Sequence, residues 1–277
     1  MKNILSLGAA VGLALVTLVG CGDDEPTDPG TEVNTYFTMK QGDTFTYARY
    51  DRDMNNQRVT ASKTMHKWVV IETGLNHQSK TGVTKLLQLN LNADGTATIA
   101  PPDTIYIRSG ADGEIFMNVI AATISRISIA AAFADSIPFK WFKIGDTKTA
   151  NTATWPSLGT TTGFTMVVQY PIPGLGTVPL NITIDADASH KGKVATTIGS
   201  TSYPGAFHTD HTVTMDARAL GSPIINDSLH LSYDVEVNNG ILRQVMVSDS
   251  VTATIGGAPQ TEAVPGFEME LIGVVRK

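Results

Sequence analysis

The chain has 277 residues, of which 42% are hydrophobic and 17% are charged, with 25 Gly, 13 Pro, one Cys and a net charge of −6. This length is sufficient for one large domain or two small ones. The absence of any Lys/Arg cluster excludes the electrostatic footprint of a nucleic-acid-binding protein, so no nucleic-acid partner is expected. The low charged fraction, with abundant Thr, Ser, Gly and Asn, is typical of β-rich proteins outside the cytoplasm and not of disordered or helical chains.

Residues 1–20 have the pattern of a signal peptide. Lys2 supplies a positive charge, and the stretch 4–19 is apolar or small except for Ser6 and Thr17. As a helix this stretch would span about 24 Å, which is less than the ~30 Å hydrocarbon core of a bilayer. We therefore expect a cleavable signal peptide and not a permanent transmembrane anchor.

The motif Leu18-Val19-Gly20-Cys21 closes this stretch and resembles the lipobox of bacterial lipoprotein precursors. The resemblance implies cleavage before Cys21, a diacylglycerol on its thiol, an acyl chain on its new amino group, and membrane attachment through these chains. The alternative is a chance cysteine behind an ordinary signal peptide. Because Cys21 is the sole cysteine, disulfides and Cys-ligated zinc are excluded, and no other cofactor is expected.

Residues 21–35 are predicted to comprise the lipidated cysteine and an acidic, flexible tether. The segment 22–30 contains four acidic residues, two prolines and no apolar side chain, so it cannot pack into a core. Gly22 in place of Asp after Cys21 argues against retention in the inner membrane by the enterobacterial rule. The acidic run is similar to surface-export signals of some Gram-negative lipoproteins. We expect an outer-membrane protein of a Gram-negative bacterium, on the periplasmic face or the cell surface.

Residues 36–277 are predicted to form a single β-rich domain. Apolar and polar residues alternate with a period of two, as in half-buried strands, over 44–50, 66–71, 83–89, 164–170, 180–185, 207–215, 229–237, 241–251 and 267–275. The pairs Asp94-Gly95, Asp112-Gly113 and Asn239-Gly240 are typical of hairpin turns, which require positive φ. Roughly a dozen short strands with tight turns predict an all-β fold, either an antiparallel sandwich or a curved or half-barrel sheet.

The segment 118–135 departs from this pattern because it is rich in Ile and Ala and its apolar residues follow helical spacing. One interpretation is a short buried helix, or a further strand, that covers one face of the sheet. The other is a mobile apolar lid over a lipid-sized cavity. On the second interpretation the candidate cavity residues are Val119, Ile120, Ile124, Ile127 and Phe133.

Two polar clusters could bind metal ions. In a strand, His208 and Asp210 share a face while His211 points to the other, so a surface His–Asp pair is favoured over a metal site. The run 51–56 is similar to the start of a calcium loop, but Asn56 stands where that loop needs Gly and Ser62 where it needs Glu. A polar turn is favoured there, with a calcium loop of another type as the alternative.

Neither the paired acids nor the tryptophans point strongly to catalysis. Asp185/Asp187 and Glu268/Glu270 each share a strand face, as glycosidase carboxylates could, but their alternation with apolar residues favours a solvent-facing position. Trp68, Trp141 and Trp155 are interpreted as core residues in preference to a sugar platform. No nucleophile elbow, phosphate-binding loop or zinc-protease motif occurs, and we assign no catalytic or metal-binding residue.

The body contains further short motifs at 42–47 (Gly-Asp-Thr-Phe-Thr-Tyr), 103–108 followed by Asp112-Gly113, 204–207, 240–243 and 267–271. With these segments the body resembles uncharacterised β-rich envelope lipoproteins of bacteria. The resemblance implies a β-rich envelope protein and identifies no catalytic residue. We expect non-catalytic binding of an apolar small molecule or an envelope protein. The alternatives are a structural or adhesive surface module, and a hydrolase of polysaccharide or lipid.

Overall fold

The computed structural model describes residues 37–92, 94–98, 100–131, 134–149, 151–172, 176–255 and 258–277, all within one unit, Asn34–Lys277. The predicted signal peptide, Cys21, the tether 22–35 and Phe133 lie outside the described residues. Within the described ranges, no helix is both long enough and apolar enough to cross a bilayer.

The first half of the domain is an antiparallel meander followed by a short helical segment. Its strands are β1 (Thr44–Arg52), β2 (Arg58–His77), β3 (Lys80–Leu91), β4 (Asp103–Ser109) and β5 (Glu114–Met117). The predicted turn at Asp112-Gly113 joins β4 to β5, and Gly113 has φ 83°. Helices α1 (Ile120–Ile124) and α2 (Ser128–Ala131) and a 3-10 turn (Ala134–Ser136) follow, and β6 (Phe142–Asp146) pairs with β5.

The second half consists of longer hairpins. Its strands are β7 (Ala153–Pro156), β8 (Phe164–Ile172), β9 (Gly176–Lys193), β10 (Thr196–Ile198), β11 (Thr201–Tyr203), β12 (Phe207–Ala219), β13 (Ser222–Glu236), β14 (Gly240–Met246), β15 (Asp249–Ile255), β16 (Ala258–Val264) and β17 (Phe267–Val275). The predicted turn before Gly240, whose φ is 82°, joins β13 to β14.

Fifteen of these strands form one antiparallel sheet, which confirms the predicted all-β class. The order is β6-β5-β4-β3-β2-β1-β17-β14-β13-β12-β9-β7, with β8 beside β9 and the β15–β16 hairpin beside β13. Strand β17 lies between β1 and β14, so the last strand of the chain unites the two halves. The short helix α1 lies within the predicted segment 118–135.

The sheet is strongly curved, and its two terminal strands approach each other. β-Bulges interrupt the register, for example between Asp234 and Val235, and such irregularities increase twist. The backbone N–H of Lys143 on β6 donates to the carbonyl oxygen of Ser157, just after β7, over 2.7 Å. A Cβ atom on Gly145 would lie 3.2 Å from the Val235 side chain, so glycine allows β6 to lie close against β13.

The inner face of the curved sheet forms the hydrophobic core. On β12 every second side chain is buried, and the neighbouring β9 contributes Leu180, Ile182 and Ile184, each no more than 2% exposed. Burial of each such side chain is worth about 1.5–3 kcal/mol. The period of two in the sequence therefore corresponds directly to the inner and outer faces of the sheet.

The predicted strand 241–251 is instead divided into β14 and β15. The side chain of Asn56 contacts both backbone groups of Ser248: the Ser248 N–H donates to Asn56 Oδ1 over 2.6 Å, and Asn56 Nδ2 donates to the Ser248 carbonyl over 3.3 Å. Ser248 Oγ also donates to the Arg52 carbonyl over 3.0 Å. The backbone N–H and carbonyl of Ser248 are thus bonded to Asn56, whereas in a continuous strand they would bond to a neighbouring strand. The strand therefore ends at this point.

Candidate functional site

A cavity with a volume of about 610 Å³ lies on the inner face of the sheet. Strands β1, β2, β3, β4, β14 and β17 form one side of it, and the covering segment, which comprises Met117 at the end of β5 and the residues up to Arg126, forms the other. A volume of this size is within the range of small-molecule sites.

The strand register explains which side chains reach this cavity. Trp68 on β2 pairs with Gln88 on β3, and Gln88 pairs with Asp103 on β4. Arg49 on β1 pairs with Met269 on β17, and Phe267 lies two residues before Met269. Alternate residues of a strand share a face. The paired residues of neighbouring strands therefore line the same surface, although they are far apart in the sequence.

The covering segment contributes Met117, Asn118, Val119, Ala121, Ala122, Thr123, Ser125 and Arg126 to the cavity wall. It is held at both ends. The backbone N–H of Tyr106 donates to Asn118 Oδ1 over 2.7 Å, and Arg126 donates to the Pro265 carbonyl over 2.9 Å. Within α1, Thr123 Oγ1 donates to the Val119 carbonyl over 2.9 Å.

Of the five candidate cavity residues, Val119 lines the cavity. Ile120, Ile124 and Ile127 are at most 3% exposed and belong to the hydrophobic core, and Phe133 lies outside the described residues. The apolar stripe of α1 packs into the core, and its small residues face the cavity. The face of α1 that lines the cavity therefore carries small residues, Ala121, Ala122 and the following Ser125. The isoleucine face, from which the candidate residues were chosen, packs into the core.

Two polar side chains of the cavity wall, Gln88 and Gln244, take part in side-chain hydrogen bonds. Trp68 Nε1 donates to Gln88 Oε1 over 2.8 Å, and Gln244 Nε2 donates to the Tyr233 hydroxyl over 3.1 Å. Burial, followed by the charge of Arg49, lowers the pKa of His66, so this imidazole is neutral at pH 7. Trp68, which is 2% exposed, is both a core residue and a cavity residue.

Two arginines lie over one aromatic ring at this cavity. The guanidinium carbons of Arg49 and Arg126 are 4.8 Å and 4.6 Å from the ring centroid of Phe267. Burial lowers the pKa of Arg49, and Asp51, at 3.8 Å, acts in the opposite direction. Asp103 is the one acidic residue in the cavity wall described.

The opposite face of the sheet carries a chain of ion pairs across adjacent strands. His208 lies between Asp210, at 2.9 Å, and Asp234, at 2.6 Å. Arg243 then joins Asp234, at 2.7 Å, to Glu268, at 3.8 Å. The predicted His208–Asp210 pair is thus one part of a longer network.

The prediction that Glu268 and Glu270 face solvent is wrong. They are 4% and 7% exposed, and Arg58 binds both, at 2.8 Å and 2.6 Å. The reason is that arginines from β1 and β2 reach across the outer face and cover the carboxylates, which an analysis of one strand cannot reveal.

The network shifts the pKa values of its members. The hydrogen bond to Asp234 raises the pKa of His208 against the effect of burial. Burial acts to raise the pKa of Asp234, but the hydrogen bonds and charges of His208 and Arg243 outweigh it, so the net shift is downward. The pKa of Glu268 is lowered in the same way, because Arg58 and Arg52 outweigh its burial.

A serine–histidine pair lies in the core, away from both surfaces. Ser157 Oγ is 2.8 Å from His211 Nδ1, and His211 Nε2 is 3.3 Å from the Ile144 carbonyl. Since the carbonyl accepts from Nε2, Nδ1 accepts from the serine. Both residues are at most 1% exposed, and burial lowers the pKa of His211 to about 3. This arrangement fixes β6 and the end of β7 against β12.

The remaining motif of the sequence, 51–56, forms a polar turn. Asp53 Oδ1 accepts the backbone N–H groups of Asn55 and Gln57 over 2.9 and 2.8 Å. In the ranges that the structure describes, no group of three or more His, Cys, Asp or Glu side chains is placed to hold a metal ion. Trp141 and Trp155 are half-buried and donate to the carbonyls of Gln78 and Lys143.

Comparison with known proteins adds one distant structural similarity. No family model matches the chain, and no curated protein matches it. A crystal structure of an exported protein with a YmcC-like fold from Bacteroides fragilis has 9% sequence identity and a TM-score of 0.37, over 87% of this chain and 99% of that one.

Proposed function

We propose that this protein is an outer-membrane lipoprotein that binds an apolar or amphipathic small molecule in the cavity beneath residues 117–126. The observation that carries the proposal is the cavity itself, with its volume of about 610 Å³. Its wall includes the apolar side chains of Trp68, Met117, Val119, Phe267 and Met269. Polar and charged side chains such as Arg49, Gln88 and Asn118 make up the rest of the wall. A concave site that combines apolar surface with polar groups suits an amphipathic small molecule.

The membrane attachment in this proposal rests on the motif Leu18-Val19-Gly20-Cys21 and on the acidic segment after it. An acyl-anchored protein at the outer membrane is exposed to lipids and other amphiphiles. A site that shields an apolar chain from water is consistent with that environment, because burial of each methylene is worth about 0.8 kcal/mol.

Native mass spectrometry of the mature lipoprotein tests the binding function. The protein is isolated from its own membranes in a non-ionic detergent, and the expected result is a dissociable mass in addition to the acyl groups on Cys21. The variant Ala122→Trp places an indole in the cavity wall and is expected to lose that mass. Ala131→Trp is the matched control, because Ala131 is also exposed on a short helix but does not line the cavity.

Two results would contradict the proposed binding. One is a wild-type protein that carries no dissociable mass and also fails to enhance the fluorescence of N-phenyl-1-naphthylamine, a general apolar probe. The other is an unchanged adduct in Ala122→Trp. Circular dichroism of both tryptophan variants establishes that they fold.

Membrane attachment is tested separately with Cys21→Ser. We expect this precursor to remain unlipidated and uncleaved, whereas the wild-type protein carries a diacylglycerol-containing N-terminal peptide. Intact-mass spectrometry distinguishes the two forms. A wild-type protein without lipid on Cys21 would contradict the lipoprotein assignment.

A further inference from the structure

We infer that the cavity takes an amphiphile with an anionic head group, such as a carboxylate or phosphate, and that Arg49 and Arg126 bind that group beside Phe267. This inference rests on the proposed binding function and specifies its ligand class.

The first argument is the position of the two cations. Arg49 belongs to β1, and Arg126 follows α1 in the covering segment, yet both guanidinium groups lie within 5 Å of the Phe267 centroid, at 4.8 and 4.6 Å. Both arginines also line the same cavity. Like charges raise each other's electrostatic energy, and an anion bound in this cavity would compensate both of them.

The second argument is that nearby acids compensate these charges weakly. Arg49 has an ion pair with Asp51 at the long distance of 3.8 Å, and Asp51 is largely exposed. Arg49 Nε is buried and has no hydrogen-bond partner among the described residues. Arg126 donates to a neutral carbonyl, that of Pro265. By contrast, Arg52, Arg58 and Arg243 on the outer face all bind carboxylates at 3.1 Å or less.

The third argument is the contrast between the cavity and the whole chain. The protein has a net charge of −6, but the wall of this cavity contains two arginines and one acidic residue, Asp103. The rest of the wall combines apolar side chains with neutral polar ones such as Gln88, Asn118 and Gln244. Guanidinium groups form bidentate hydrogen bonds with carboxylates and phosphates, so the wall suits an apolar chain that ends in an anion.

The test compares two photoreactive probes with the same diazirine-bearing dodecyl chain, one ending in a carboxylate and one in an alcohol. The mature lipoprotein in non-ionic detergent is irradiated with each probe over a range of concentrations, and labelled peptides are quantified by mass spectrometry. We expect the carboxylate to reach half-maximal labelling of the 117–126 peptide at about ten- to hundredfold lower concentration, as charge-assisted hydrogen bonds predict.

Arginine variants identify the groups responsible. Arg49→Gln and Arg126→Gln are each expected to reduce the preference for the carboxylate about tenfold, and the double variant is expected to remove it. Arg218→Gln is the matched control, since Arg218 contacts Asp216 on the outside of β12 and its loss also removes one positive charge. Arg126→Gln alone is sufficient for the test if Arg49→Gln does not fold.

The outcomes separate the two proposals. Equal labelling by the acid and the alcohol, or a carboxylate preference that survives both arginine substitutions, would overturn the anionic head group and leave apolar binding intact. Failure of both probes to label the cavity peptide would overturn the binding function as well. A roughly tenfold reduction of the preference in each single arginine variant and its loss in the double variant, with no change in Arg218→Gln, would support the inference.

Discussion

The guanidinium group of Arg58 on β2 lies over the ring of Tyr50 on β1, at 4.6 Å, and reaches Glu270 on β17, where Nη2 is 2.6 Å from Oε1. Strand β1 separates β2 from β17 in the sheet. A single side chain thus ties three adjacent strands together on the outer face, and it does so at the junction between the two halves of the domain.

Arg58→Met should lower the free energy of unfolding by about 1–3 kcal/mol at pH 7, because Glu270 loses its ion pair and Glu268 retains Arg52. The partial exposure of Arg58 reduces this loss through solvent screening. Urea unfolding measures it. Arg218→Met, which removes an exposed pair, should cost less than about 0.5 kcal/mol. Equal losses in both variants would refute the structural role of the Arg58 bridge.

His208 should make stability depend on pH. Its native pKa is raised by Asp234, so its contribution is fully present below the unfolded value of about 6.5 and is lost as the pH rises through the native pKa. His208→Gln should therefore destabilise the protein by about 1–3 kcal/mol at mildly acidic pH and by less at alkaline pH. Urea unfolding across pH 5.5–9 checks this. His230→Gln, at an exposed position on β13, is the control, and a pH-independent loss for His208→Gln would exclude the mechanism.

Asp43→Asn should loosen the C-terminal residues. The buried carboxylate of Asp43 accepts the Lys277 backbone N–H over 2.9 Å and contacts Arg276 at 2.9 Å. Burial acts to raise its pKa, but backbone hydrogen bonds and Arg276 outweigh burial and lower it. The carboxylate's contribution is therefore present above an unfolded pKa of about 3.9 and is lost as the pH falls through the lower native value.

For Asp43→Asn we expect a loss of about 1–3 kcal/mol at pH 7 and faster digestion by carboxypeptidase. The difference from the wild-type protein should vanish in strong acid. Asp216→Asn, at a surface pair on β12, is the control. Unchanged digestion of Asp43→Asn would show that the C-terminal residues are held by other contacts.

Ser157→Ala should cost about 1–3 kcal/mol, because it leaves the buried Nδ1 of His211 without a donor. Ser228→Ala removes a similar hydroxyl bond to Thr214, over 3.0 Å, at a partly buried site, and should cost less than about 1 kcal/mol, since water replaces the partner. Thermal unfolding of the three proteins provides the comparison. A loss for Ser157→Ala no larger than that for Ser228→Ala would contradict the interpretation of the buried pair as a structural link.

Local sequence determined the β class and the main hairpins. Alternation along β9 and β12 predicts which side chains are buried, because successive residues in a strand point to opposite faces. Gly113 and Gly240 mark turns, since both adopt the positive φ that such turns require. These properties depend on neighbours within a few residues, and the sequence contains that information directly.

Only the tertiary structure decided which polar groups meet. Asn56 divides the strand run 241–251 through a contact with Ser248 nearly two hundred residues away in the chain, and Glu268 and Glu270 become buried because arginines of β1 and β2 cover them. The cavity likewise combines Arg49, Arg126 and Phe267 from three separate parts of the chain. These side-chain contacts depend on strand order and sheet curvature. Both arise from the packing of the whole core, and no local sequence pattern encodes them.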